Sequence, residues 1–137
     1  MQPVPLGFGA MDATHREFVE RVDELMKADD AGVPRALDAL AEHLRSHFAE
    51  EREWMKSTGF PSAACHLDEH EAVLRSVNEV QSLVAAGELR VARALAFELT
   101  RWFPQHTDAM DRGLAKWMVK ARLGGEPIVL QYRMKSA

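Results

Sequence analysis

The feature that most constrains this chain is an apolar period of about 3.6 residues that runs, with interruptions, through most of its length. Side chains three and four apart share a helix face, so such a stripe has to be buried against another element. In the first segment Phe18, Val19, Val22, Leu25 and Met26 form the stripe, with His15 at its head. Asp12 is expected to cap its start, and DDAG at 29–32 to break it near Asp29. Pro34 suits the first turn of a second helix, whose face reads Leu37, Leu40, Leu44, His47, Glu51 and Met55 until Gly59 and Pro61 stop it.

A third helix is predicted from a Ser62 cap to Gly87, with His66, His70, Val73, Leu74, Val77, Val80 and Val84 inside. A fourth starts near Glu88 and carries Val91, Leu95, Leu99, Trp102, Phe103 and His106. Pro104 withdraws the N–H that the Thr100 carbonyl needs, so a local kink is expected there. Leu114, Trp117, Met118 and Ala121 predict a short fifth helix or an extension, ended by Gly124-Gly125, and EPIVLQYRMKSA reads as an extended tail.

No strand-like alternation interrupts these segments, and the connections are short. The predicted fold is therefore all-α: an up-down-up-down antiparallel four-helix bundle with a short C-terminal extra helix and tail. One domain is expected over 1–137, with its core at about 8–118 and an extension at about 119–137. The net charge of -4 disfavours nucleic acid as a partner. No apolar run reaches the roughly 20 residues that cross a bilayer. The single cysteine, Cys65, excludes an internal disulfide framework; on its helix it is expected to be a small core or boundary residue. With no basic leader at the N-terminus, these features favour the cytoplasm.

The stripes contain residues that a core does not ordinarily hold. HFAEE at 47–51 and HLDEH at 66–70 place ionisable groups four apart, about 40° around a helix, so His47 shares a face with Glu51, and His66 with His70. Five of the six histidines fall at core-facing positions over all four helices. Burying an unpaired carboxylate costs several kcal/mol or forces it to take up a proton, and buried imidazoles need partners too. A cation among them answers both needs. Imidazole with carboxylate suits iron, zinc, copper or nickel rather than calcium or magnesium.

Counting Asp111, seven donors exceed the four that one tetrahedral zinc takes and suit two octahedral metals. A carboxylate can span two cations and a neutral imidazole serves one, which makes Glu51 and Asp111 the expected bridges and the histidines terminal ligands. Asp111 lies about 140° around an ideal helix from His106. A kink, a loosened turn or an approach from another side has to supply the difference.

MDATH at 11–15, HFAEE at 47–51, HLDEH at 66–70 and WFPQHTDAMD at 102–111 resemble, in order, the four ligand-bearing segments of the hemerythrin family, and the single-domain bacterial hemerythrins most closely. The resemblance implies a four-helix bundle with two iron ions and an oxo or hydroxo bridge, binding dioxygen reversibly. By the same resemblance His15 and His47 would hold an iron with an open position, and His66, His70 and His106 would saturate the other. Glu51 and Asp111 would bridge the pair. Dioxygen would bind end-on at the open iron and be stored as hydroperoxide.

Phe48, Met55, Trp102 and Phe103 are placed to keep such a pocket apolar. The chain departs from the family at Thr107, where a bulky aliphatic residue is common, and at His43, where tyrosine is frequent. His43 is expected to face solvent or be satisfied within the core rather than relay protons.

The leading functional reading is an oxygen carrier, store or sensor rather than an enzyme. Di-iron oxidases and peroxidases are the alternative, but their sites are carboxylate-rich, whereas this set has five histidines to two carboxylates. Nitric oxide binding or iron handling under stress is a further alternative. A reductase or delivery partner is compatible with all of these, and the oligomeric state is left open. Trp117, Met118 and the segment IVLQY either cover the end of the bundle or form a contact surface.

Overall fold

The computed structural model describes residues 1–122. The extended tail and the Gly124-Gly125 stop lie outside them. Helix α1 spans Gly9–Lys27, α2 Val33–Thr58, α3 Ala63–Ala85 and α4 Arg90–His106; a π-helical turn, Thr107–Asp111, then leads into α5, Arg112–Arg122. Neighbours in sequence pack against each other, and α1 closes on α4, as the up-down-up-down bundle requires.

The breaks act as expected in most places. Gly59 takes φ +67° and caps α2 through its N–H to the Met55 carbonyl, and Gly87 takes φ +96° after α3. Two cap expectations are corrected. Helix α1 begins three residues before Asp12, whose carboxylate accepts the Leu6 N–H at 2.8 Å from within the first turn. Ser62 stands at the cap position of α3, but its side chain makes no capping hydrogen bond among the described residues. Helix α1 also ends at Lys27, because Ala28 turns to an extended conformation (ψ 141°). Arg93 pins that end by donating to the Ala28 carbonyl at 2.8 Å.

Two apolar clusters lie one above the other along the bundle. The larger holds Phe18, Val22, Leu25, Leu37, Leu40, Leu44, Phe48, Val77, Leu99 and Phe103. Each fully buried leucine there contributes about 1.5–3 kcal/mol relative to exposure. The smaller holds Phe8, Met11, Met55, Leu114 and Met118. Met118 is buried, and Trp117 packs on Phe60 and donates its indole N–H to Thr58 Oγ1 at 2.8 Å. The pair therefore covers the end of the bundle. Met26, placed on the inner stripe by its spacing, is 42% exposed.

On α1 and α2, and from α4 through the π-helical turn into α5, the sequence runs from one cluster to the other through ionisable residues: Met11–His15–Phe18, Leu44–His47–Glu51–Met55 and Phe103–His106–Asp111–Leu114; on α3, His66 and His70 precede Val73 of the larger cluster. The polar layer is sealed from both ends.

Candidate metal centre

His15, His47, Glu51, His66, His70, His106 and Asp111 are all buried and meet in that layer. They form two groups whose donor atoms lie within 4.8 Å of one another: His15, His47 and Glu51 in one, His66, His70, His106 and Asp111 in the other. The two carboxylates join them. Asp111 sets Oδ2 3.1 Å from His15 Nε2, and Oδ1 2.9 Å from His66 Nε2 and 3.0 Å from His106 Nε2. Glu51 turns Oε2 to His47, and Oε1 lies 3.2 Å from His66 and 3.5 Å from His70. Each carboxylate thus gives one oxygen to the two-imidazole group and the other to the three-imidazole group.

Asp111 reaches this position through the π-helical turn. The Arg112 N–H donates to the Thr107 carbonyl five residues back, which widens the turn and brings residue 111 about one turn beyond 106. A loosened turn was one of the expected solutions. Helix α4 itself runs through Pro104 to His106, so the irregularity falls after the proline, not at it.

Proximity does not amount to hydrogen bonding in this layer. Among the described residues, His15 Nε2, His66 Nε2, Glu51 Oε1 and Asp111 Oδ1 are buried without a partner of hydrogen-bond geometry, although each has an opposite group within 3.2 Å. Such atoms are costly unless something else satisfies them. Donor atoms converging on a point between them, rather than on each other, fit a cation.

Ionisation in the metal-free site follows from the same geometry. Burial, and then repulsion by Asp111, would raise the Glu51 carboxyl, but the adjacent His47 and His66 bring it down to about 2. Burial opposes the ionised form of Asp111 as well, yet His106, His15 and His66 hold it well below the usual carboxylate range. Burial would lower His66; the Asp111 and Glu51 carboxylates outweigh it and push the imidazole up to about 9. His70 gains too little from Glu51, and burial takes it down to about 3. Imidazolium protons therefore balance the carboxylates where metal charge could do so.

The consequence for stability has a definite sign. The contribution from His66 is complete below 6.5 and is lost as pH rises through about 9. His70, buried neutral, costs stability once pH falls below 6.5, where the unfolded chain takes up the proton and the folded one does not. Glu51 contributes in full above 4.5 and loses that contribution as pH falls through about 2. Thermal melts of chelator-treated protein are expected to peak near pH 6.5 and to fall on both sides. Metal affinity should instead rise with pH across this range, because protons compete for the same donors.

Around the layer, Phe48 stacks on His70 with centroids 3.8 Å apart, Trp102 stacks on His106 at 4.3 Å, and Phe103 meets His15 edge-on at 5.1 Å. Met55 lies in the second apolar cluster with Met11 and Leu114, below Glu51. His43 is half-buried and donates Nε2–H to the Thr14 carbonyl at 3.2 Å, with Glu17 3.7 Å from its other nitrogen. It stands outside both groups of donors. Cys65 is exposed, not a core or boundary residue, since it precedes the inward-facing His66 by one position.

Glu69 was not among the expected site residues. Its Oε1 accepts Nδ1–H of His106 at 2.7 Å and Nε1–H of Trp102 at 2.9 Å. A carboxylate only accepts, so this contact fixes the His106 proton on Nδ1 and leaves Nε2 facing Asp111. In HLDEH, Glu69 reads as an ordinary charge next to His70; its partners come from a helix more than thirty residues away, and no local signal marks them.

Fold and site together define a class: a helical bundle with a buried layer of five imidazoles and two shared carboxylates, able to hold a metal centre. The family model described as the hemerythrin HHE cation binding domain matches residues 6–118. A bacteriohemerythrin of Ralstonia nicotianae is 40% identical over 115 residues, covering 84% of each chain. One from Stenotrophomonas maltophilia is 32% identical over 122 residues, covering 86% of this chain and 78% of its own. A crystal structure of wild-type hemerythrin superposes with a TM-score of 0.78 over 86% of this chain and 97% of that one; at 22% identity it bears on the fold alone. This chain belongs to the hemerythrin family. Among the described residues, no helix is long and apolar enough to cross a membrane.

Proposed function

We propose that this protein holds two iron ions and binds dioxygen reversibly, as a carrier, store or sensor and not as an enzyme. The observation that carries the reading is the division of each carboxylate between the two imidazole groups. Two oxygens per carboxylate, aimed at separate sets of imidazoles, suit a bridged pair of cations. The unsatisfied atoms of the layer fit the same pair.

Ferrous ions held by His15, His47, Glu51, His66, His70, His106 and Asp111 would supply the two electrons, one each, that reversible dioxygen binding requires. The chain determines where that ligand sits. His66, His70 and His106 provide three nitrogens on one side; His15 and His47 provide two on the other, so the ligand position falls on the His15 and His47 side. Phe103, edge-on to His15 and packed against Phe18, keeps water from that side. Phe48 and Trp102 fix the planes of His70 and His106 by stacking, and Glu69 holds the His106 proton away from the centre.

Protein purified without air is expected to carry about two irons per chain, since di-iron bundle sites use donors from all four helices. Admitting oxygen should produce a new charge-transfer band that disappears under vacuum and returns on re-exposure. Irreversible bleaching with release of peroxide would overturn carriage in favour of a di-iron oxidase or peroxidase. A stable nitric oxide complex without any reversible oxygen band would point to the stress-response reading.

A further inference from the structure

Thr107 opens the π-helical turn and is only 6% exposed, yet its Oγ1 has no hydrogen-bond partner among the described residues. A threonine inside a helix ordinarily donates to a carbonyl three or four residues back. Thr14 does so, donating to the Ala10 carbonyl at 2.8 Å, whereas Thr107 does not. A buried hydroxyl left in this state carries a desolvation cost that valine, of the same shape, would avoid.

Its neighbours on the chain say where it stands. Phe103, one turn earlier, has its ring 5.1 Å from that of His15. Asp111, one turn later, has Oδ2 3.1 Å from His15 Nε2. Thr107 lies between them on the stripe whose members on either side, Phe103 and Asp111, both meet His15. That is the side of the layer with two imidazoles, where Phe103 offers an apolar edge and the carboxylates offer only acceptors.

We propose that Thr107 is the hydrogen-bond donor for the exogenous ligand: its Oγ1–H, without a partner among the described residues, serves a small anionic ligand bound on the His15 and His47 side. The inference rests on the di-iron reading above and adds a ligand preference to it. A hydroxyl at this place favours ligands that carry negative charge over neutral, apolar ones of equal size.

The test compares wild type, Thr107→Val and Thr107→Ser, each loaded with iron, oxidised and titrated with azide by absorbance. Valine keeps the volume and removes the donor; serine keeps the donor. Azide should bind Thr107→Val about tenfold more weakly and Thr107→Ser within about threefold of wild type, since a hydrogen bond to a charged group is lost only in the first. Iron content should be equal in all three. Metal-free Thr107→Val should melt no lower than metal-free wild type.

Unchanged azide affinity in Thr107→Val, with iron content intact, would overturn the role of Thr107 and leave the di-iron reading standing. A lower melting temperature of metal-free Thr107→Val would also overturn it, by showing that the hydroxyl serves the fold. Failure of wild type to take up iron or bind azide would remove the di-iron reading and this inference with it.

Discussion

Glu51→Ala is expected to abolish binding of both metal ions, not one. Glu51 is fully buried and sends Oε2 to His47 and Oε1 towards His66 and His70, so its removal takes one oxygen from each group of donors. Glu51→Gln tests this further: the amide keeps the shape but presents a single oxygen, and is expected to fail at dinuclear binding as well. Removing one partner of a buried ion pair costs about 3–5 kcal/mol when the survivor stays charged. His47 and His66 can release their protons, so the metal-free Glu51→Ala protein should lose about 3 kcal/mol, at the lower end of that range. Elemental analysis for iron and urea unfolding of the metal-free protein read the two effects separately. A variant that keeps one tightly bound iron would mean that Glu51 serves a single ion.

The second large effect separates two histidines of similar sequence appearance. His70→Ala should cut iron content sharply, because it removes one of three imidazoles from its group and leaves a void under the stacked Phe48 ring. The void alone costs about 2 kcal/mol or more, by the scale of buried large-to-small changes. His43→Ala should leave iron stoichiometry near that of wild type. Its imidazole donates to the Thr14 carbonyl outside the donor groups, so about 1 kcal/mol of stability is at stake and no ligand is lost. Equal iron content in both variants would contradict the assignment.

Much of this molecule is legible in its sequence because the constraint is simple. A helix that must bury one face repeats apolar residues at its own period, and the ionisable residues stand out by occupying the same stripe: Leu44–His47–Glu51–Met55 in α2 and His66–His70–Val73 in α3. The features that were not legible have particular causes. Asp12 has the residue type of a cap but acts from inside the first turn, accepting the Leu6 N–H; cap and first-turn aspartates look alike in one dimension. The position of Asp111 depends on a π-helical turn, which has no residue signature of its own, and an ideal helix would have turned it away from His106. Glu69 depends on contacts to another helix, which helical periodicity does not describe.

The most direct test of the proposed dinuclear centre is anomalous diffraction at the iron edge from crystals of iron-loaded protein. Two peaks are expected inside the bundle, one beside His15 and His47 and one beside His66, His70 and His106, each next to one oxygen of Glu51 and one of Asp111. A single peak, or iron found only at the protein surface, would contradict a centre in which the seven buried donors share two ions.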